Sequence, residues 1–149
     1  MTIIYRNSQE GDVEAMTKLA RGLVEELHQT FDKKRFMAMI TRVMIDPEQR
    51  NGTFLAEDDE KHDILGMVIG ITKPSRGGKK EGFLQNIVVD PEARGKGVGK
   101  ELVRRALDYM KSLKVSTINV NIRDSQPQAI TMYERLGFVR TGNKMRVKA

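Results

Sequence analysis

The chain has 149 residues, of which 39% are hydrophobic and 31% are charged, and its formal net charge is +6. This length fits one domain spanning residues 1–149 rather than two domains, and no apolar run approaches the ~20 residues that a membrane span needs. The absence of cysteine excludes disulfides, thiolate metal sites and a cysteine nucleophile.

Apolar periodicity and turn residues predict the elements of a mixed α+β domain. In chain order these are strand 3–5, helix 13–27, helix 33–45, strand 53–57, strand 64–71, strand 83–89, helix 97–111, strand 116–122, helix 127–136, strand 138–140 and strand 145–147. Asp46-Pro47 is predicted to end the second helix. The basic, glycine-containing stretch 73–80 and the segment 123–126 are predicted to be loops.

The basic charge favours anionic partners, either nucleic acid or a polyphosphate-bearing cofactor, and disfavours a strongly cationic substrate. A nucleic-acid binder would interleave aromatic side chains with its positive charge, but only 5% of residues are aromatic, so we expect no nucleic-acid partner. His28 and His62 lack the spacing of metal ligands, and we expect no metal. The N-terminus lacks a signal-peptide pattern, so we expect a cytoplasmic protein without membrane partners.

The strongest chemical signal is a glycine-rich turn between a predicted strand and a predicted helix: Arg94-Gly95-Lys96-Gly97-Val98-Gly99. A helix N-terminus leaves backbone N–H groups without intrahelical partners and carries partial positive charge. Glycines tolerate the dihedral angles of a tight turn and let a phosphate approach those N–H groups. The turn is therefore predicted to bind a pyrophosphate.

The spacing of this turn excludes two common phosphate loops. A Walker loop needs Ser or Thr after Gly-Lys, but Gly99-Lys100 is followed by Glu101, and the dinucleotide fingerprint Gly-x-Gly-x-x-Gly is absent. The pattern Arg94-x-x-Gly97-x-Gly99 instead resembles the coenzyme A motif of the GNAT superfamily of N-acetyltransferases. The segment from Ala129 to Phe138, with Tyr133 and Gly137, resembles the last helix-and-strand motif of the same family.

This resemblance implies the acyl-CoA N-acyltransferase fold: a mixed, mostly antiparallel central sheet of about six or seven strands flanked by four helices. It also implies acetyl transfer from acetyl-CoA, used as a co-substrate, to a primary amine by direct attack in a ternary complex. Two strands, 83–89 and 116–122, would separate and admit the acetyl group between them. The cofactor-binding residues would be Ile87, Val88 and Val89 for the pantetheine arm, then Arg94, Gly95, Lys96, Gly97, Val98, Gly99 and Lys100 for the pyrophosphate.

The resemblance further assigns the catalytic roles. Tyr133 would protonate the departing thiolate, which is chemically reasonable for a phenol of pKa ~10 and a thiol of pKa ~8.5, and a backbone N–H near Val88 would polarise the thioester carbonyl. Glu81 is the candidate general base, although a water-mediated route and an acceptor arriving as free amine stay open. Gln126 stands where relatives often carry an asparagine that binds pantetheine, so it could make that contact or face water.

The resemblance leaves three questions open: catalysis or sensing, the kind of acceptor, and the oligomeric state. A non-catalytic, acyl-CoA-binding or sensing module with the same fold is the second hypothesis. It is motivated by Gln85 where many relatives carry a glutamate base and by Gln126 where they often carry an asparagine. The acceptor could be a small-molecule amine or a protein amine. A homodimer is also expected from the resemblance, with a second copy completing the brief last strand near the C-terminus.

Overall fold

The computed structural model describes residues 2–122, 124 and 126–149, so the predicted loop 123–126 lies partly outside the described residues. The strands are β1 (Ile3–Asn7), β2 (Phe54–Asp58), β3 (Ile64–Pro74), β4 (Lys80–Val89), β5 (Thr117–Asn121), β6 (Val139–Thr141) and β7 (Lys144–Lys148). The helices are α1 (Val13–Glu26), α2 (Lys33–Ile45), α3 (Pro47–Asn51), α4 (Val98–Ser112) and α5 (Pro127–Arg135). No helix within these described residues is long and apolar enough to cross a membrane.

All seven strands belong to one sheet with the order β1-β2-β3-β4-β5-β7-β6. Only β4 and β5 pair in parallel, and every other neighbouring pair is antiparallel. This arrangement confirms the predicted mixed, mostly antiparallel sheet. The C-terminal strand β7 lies between β5 and β6, so it is an interior strand, and the edge strands of the sheet are β1 and β6. The expectation that a second copy completes the last strand therefore has no free edge of β7 to use in the described sheet.

A fifth helix, α3, was not predicted. Asp46-Pro47 does end α2, but the same pair starts α3, because the Asp46 carboxylate accepts a hydrogen bond from the Glu48 N–H at 3.0 Å and proline suits the first helical turn. The Gln49 side chain then fastens α3 to β3. It accepts from the Thr72 N–H at 2.8 Å and donates to the Thr72 carbonyl at 3.2 Å.

The stretch 73–80 contains the predicted loop, at residues 75–79, between Pro74 at the end of β3 and Lys80 at the start of β4. Its ends extend β3 and β4, which stay in register from Lys73 opposite Glu81 to Pro74 opposite Lys80. The reversal is confined to a short turn in which Gly77 and Gly78 both have positive φ, 70° and 73°. Glycine adopts this conformation without steric cost, so the long antiparallel ladder can continue almost to the turn.

Helices cover both faces of the sheet and divide the core in two. Alternating side chains of each strand point to opposite faces. On one face the sheet packs against α4 and α5, through buried residues that include Leu84, Leu102, Val103, Ile118 and Phe138. On the other face it packs against α1 and α2, through buried residues that include Met16, Ile40, Leu55, Met67 and Ile69.

Candidate active site

The centre of the sheet opens between β4 and β5. The two parallel strands pair only from Glu81 opposite Thr117 to Leu84 opposite Val120. From there β4 continues to Val89 beside β3, while β5 ends at Asn121. Within the described parts of the chain, no strand pairs with the edge of β4 that faces away from β3 just beyond Leu84.

A β-bulge in β4 accounts for this separation. Gln85 lies opposite Ile69 and Val88 opposite Met67, so two residues of β4, Asn86 and Ile87, face one residue of β3. Asn86 adopts a positive φ of 47°, which is uncommon for a residue other than glycine. A bulge bends its strand and increases the local twist, and here it turns the end of β4 away from β5.

A cavity of about 1030 Å³ lies at this opening. Its sheet wall includes Leu84, Gln85, Asn86, Ile87 and Val120, and Tyr133 and Gln126 of the α5 region contribute to the same wall. The opposite wall comes from α1, α2 and the segment between them, with partly or fully buried apolar residues that include Leu23, Phe31, Phe36 and Met39. The cavity thus joins the gap between the strands to the space under the two N-terminal helices.

Tyr133 lies in the last turn of α5 and is buried, with 5% of its surface exposed. Its ring packs against Phe138 with centroids 5.5 Å apart, and the Phe138 N–H donates to the Tyr133 carbonyl at 3.0 Å. Burial raises the pKa of the Tyr133 phenol, because the charged phenolate is disfavoured away from water. The hydroxyl is therefore a neutral proton donor throughout the physiological pH range.

The predicted phosphate turn forms the N-terminus of α4. Gly95 and Gly97 have φ of 79° and 77°, and Gly97 is the residue that precedes the first helical turn. Positions with such φ favour glycine, and no atom lies within 4 Å of a Cβ built on either one. The turn therefore leaves open space in front of backbone N–H groups that have no intrahelical partner, which fits a pyrophosphate.

Arg94, at the start of this turn, is engaged by the end of α1. Its two terminal nitrogens contact the Glu26 carboxylate at 2.6 and 2.7 Å, and its Nε donates to the Val89 carbonyl at 3.1 Å. The pKa of Glu26 is lowered, chiefly by the hydrogen bonds from Arg94. This ion pair was not predicted, because the two residues lie 68 positions apart in the sequence.

The remaining predicted site residues take different positions. Gln126 is half-buried at the start of α5 and lines the cavity. Glu81 is not among the residues that line it, and its carboxylate accepts a hydrogen bond from the Thr117 hydroxyl at 3.1 Å. Glu81 lies four residues before Gln85, or ~13 Å along an extended strand. Its role as a base stays a prediction.

The Glu26–Arg94 contact leads to a prediction about cofactor affinity. We expect Glu26→Gln to tighten coenzyme A binding about two- to five-fold, because it removes a negative charge from beside the turn and releases Arg94. That range corresponds to the modest energy of an exposed ion pair. Calorimetric titration with coenzyme A measures it, and Glu25→Gln, the exposed neighbour with the same charge change, is the control. Weaker binding by Glu26→Gln would instead show that Glu26 holds Arg94 in its binding position.

Comparison with known proteins agrees with this geometry. The sequence model of the family described as "Acetyltransferase (GNAT) family" matches residues 16–138. The chain therefore belongs to that family. The chain is 28% identical over 145 residues to a probable glucosamine 6-phosphate N-acetyltransferase of rice (Oryza sativa subsp. japonica). This alignment covers 83% of the chain and 86% of the relative. It is 30% identical over 122 residues to a spermidine N(1)-acetyltransferase of Vibrio cholerae, covering 80% of the chain and 65% of the relative.

Solved structures share the fold over the whole chain. A chain of the NatC complex bound to Gag peptide and CoA superposes with a TM-score of 0.85 and 19% identity, covering 100% of this chain and 99% of that one. Glucosamine-6-phosphate N-acetyltransferase of Arabidopsis thaliana gives a TM-score of 0.73 and 19% identity, covering 95% of each chain. These likenesses show the fold. The family match and the sequence relatives identify the protein as an acetyl-CoA-dependent N-acetyltransferase, as the two sequence motifs had predicted.

Proposed function

We propose that the protein transfers the acetyl group directly to a primary amine in a ternary complex within the cavity between β4 and β5. The observation that carries this proposal is the opening of the sheet beyond Leu84 and Val120, with Tyr133 on its wall. Acetyl-CoA supplies the activated acetyl thioester. The absence of cysteine suits a route without a cysteine acyl-enzyme.

The cofactor is held by the residues that the family resemblance assigns. The unpaired edge of β4 at Ile87, Val88 and Val89 hydrogen-bonds the pantetheine arm, with the amide of Gln126 as a further contact. The pyrophosphate lies against the glycine turn and the start of α4, which consist of Arg94, Gly95, Lys96, Gly97, Val98, Gly99 and Lys100. Arg94 leaves the Glu26 carboxylate or shares its N–H groups between the two anions.

The chemistry requires a proton acceptor and a proton donor. As the amine nitrogen bonds to the acetyl carbon and the carbon–sulfur bond breaks, Tyr133 donates its phenolic proton to the sulfur. A backbone N–H near Val88 stabilises the negative charge that develops on the carbonyl oxygen. The amine proton leaves through water held by the amides of Gln85 and Asn86, which line the cavity, or through Glu81 if a water chain reaches it.

An acetyl-CoA thermal-shift experiment tests the placement of the cofactor. Ligand at a hundred times its dissociation constant stabilises a protein by ~2.7 kcal/mol, which raises Tm by about 5–10 °C for a domain of this size. We expect the double variant Arg94→Ala, Gly97→Ala to lose most of this rise. The matched control is Arg140→Ala, Gly142→Ala, which removes another arginine in an exposed ion pair and another glycine with positive φ.

A release assay for free coenzyme A thiol, with a panel of amines, separates the enzyme from the alternative, a non-catalytic sensing module. Stabilisation by acetyl-CoA without amine-dependent thiol release would favour the sensing module. If the folded protein showed neither stabilisation by acetyl-CoA nor amine-dependent thiol release, both the enzyme and the sensing-module hypotheses would be contradicted. Cytoplasmic location and a homodimer also remain predictions, and sedimentation of a monomer at micromolar concentration would count against the dimer.

A further inference from the structure

The charges on the cavity wall are unbalanced at the end formed by α2 and β3. Among the residues that the structure describes, five charged side chains line the cavity: Asp32, Arg35, Arg42, Asp46 and Lys73. Both acids cap helices. Asp32 accepts from the Arg35 N–H at 3.0 Å at the start of α2, and Asp46 accepts from the Glu48 N–H at 3.0 Å at the start of α3.

The three cations make no ion pair within 4.0 Å with any side chain in the described part of the chain. Arg35 and Arg42 are two helical turns apart on α2, which places both on one face, ~10 Å apart along the axis. Met39 lies between them on that face and also lines the cavity. Lys73 approaches from the opposite wall, at the end of β3.

Lys73 is directed toward the reaction site rather than away from it. Its Cα lies opposite Glu81, but its Nζ lies 5.2 Å from the centroid of the Phe83 ring, two residues nearer to Gln85. The Glu81 carboxylate does not neutralise it, because that group binds the Thr117 hydroxyl and lies 3.9 Å from Arg146. Lys73 therefore extends along the sheet toward the cavity centre.

These cations are separate from the cofactor's own phosphate site. No residue of the glycine turn from Arg94 to Gly99 lines this cavity. Lys73 lies opposite Glu81 in the neighbouring strand. Glu81 precedes Ile87, the start of the pantetheine-binding segment, by six residues, or ~20 Å along the strand. An anion bound by Arg35, Arg42 and Lys73 would belong to the second substrate, whose amine would lie nearer to Gln85.

We propose that the acceptor is an amine that also carries an anionic group, a phosphate or a carboxylate, which Arg35, Arg42 and Lys73 bind. The proposal rests on the proposed function, since it assigns the acceptor to the same cavity. Guanidinium groups form paired, charge-assisted hydrogen bonds with phosphate and carboxylate oxygens. The same positive charge repels a polyamine, so it selects acceptors by sign as well as by shape.

Steady-state thiol release with matched amines tests this selection. The pairs are glucosamine 6-phosphate with glucosamine and O-phosphoethanolamine with ethanolamine, and spermidine is the cationic member. We expect kcat/KM to be at least about ten-fold higher for the phosphorylated member of a pair, since each charge-assisted hydrogen bond contributes enough for roughly that factor. Spermidine is expected to be the poorest acceptor.

Two variants locate the effect. We expect Arg35→Gln and Arg42→Gln each to raise KM for the phosphorylated amine about ten-fold, with little change for its neutral partner and no change in Tm, because both side chains are exposed. Arg76→Gln is the control, since it removes the same charge from the exposed β3–β4 turn outside the cavity. An equal loss in Arg76→Gln would show a general charge effect and overturn the site.

Calorimetric titration of the protein–coenzyme A complex with the same amines measures acceptor binding without turnover. Together with the thiol-release assay, it tests the anionic acceptor site separately from the proposed catalysis. Thiol release with neutral amines or spermidine, without preference for the phosphorylated partners, would overturn the anionic acceptor and leave the enzyme reading intact. Phosphate-dependent binding that is lost in Arg35→Gln, but without thiol release, would support the anion site and contradict the proposed catalysis. Absence of both binding preference and turnover would overturn the anion site as well.

Discussion

Replacement of Tyr133 by phenylalanine is expected to lower kcat by about 10²–10⁴, the usual contribution of a positioned general acid. The substitution removes only the hydroxyl and keeps the ring that packs on Phe138. The affinity for acetyl-CoA and the Tm are expected to change little. Thiol release at saturating acetyl-CoA measures the effect, and the affinity by calorimetry shows that the cofactor site is unchanged.

Tyr109→Phe provides a matched control. Its hydroxyl donates to the Glu48 carbonyl at 2.9 Å, away from the cavity lining. This variant should lose about 1 kcal/mol of stability with its hydrogen bond and keep its kcat. If Tyr133→Phe retained full activity, the thiolate would take its proton from another source, and the family role assigned to this residue would be wrong.

The pH profile gives the same residue a second test. Burial raises the pKa of Tyr133 above its ordinary value of 10.0, so the phenol stays protonated until the pH exceeds that value. A group that must act in its protonated form loses activity as the pH rises through its pKa. We therefore expect no basic loss of kcat from Tyr133 below pH ~10. A fall near neutral pH that disappears in Tyr133→Phe would contradict the direction of this shift.

Gly70→Ala is expected to lower the free energy of unfolding by about 1–3 kcal/mol, the usual cost of overpacking. A Cβ at this position in β3 would collide with the carbonyl oxygen of Gly52 and lie 2.9 Å from the Met110 methyl group. The Gly52 contact involves backbone, which cannot rotate aside as a side chain can. Tm should fall by about 2–12 °C, measured by thermal unfolding without ligand.

Gly22→Ala is the control for this variant. Gly22 lies in the middle of α1, with no atom within 4 Å of an added Cβ. Because glycine is destabilising in a helix interior by roughly 0.5–1 kcal/mol relative to alanine, this substitution should raise Tm. A Gly70→Ala protein as stable as the wild type would mean that α3 and β3 can move apart at low cost.

Several features of the fold were predictable because they depend on local sequence. Hydrophobic periodicity and turn residues predicted seven strands and the four long helices, all of which the structure confirms. The short helix α3 was missed because Asp-Pro both ends one helix and starts another, and five residues carry too little periodicity to be recognised. The loop predicted in the stretch 73–80 is present at residues 75–79, and only its bounds were too wide, because the ladder between β3 and β4 holds Lys73, Pro74 and Lys80 in strands.

The class of the protein can be predicted from local sequence, because the turn from Arg94 to Gly99 and the segment around Tyr133 are contiguous patterns whose chemistry depends on adjacent residues. The way the site is built depends on the folded chain. The bulge at Asn86, the contact of Glu26 with Arg94 and the presence of Arg35, Arg42 and Lys73 in one cavity lining all depend on residues far apart in the chain. Such contacts arise from strand register and helix packing, which no local pattern encodes.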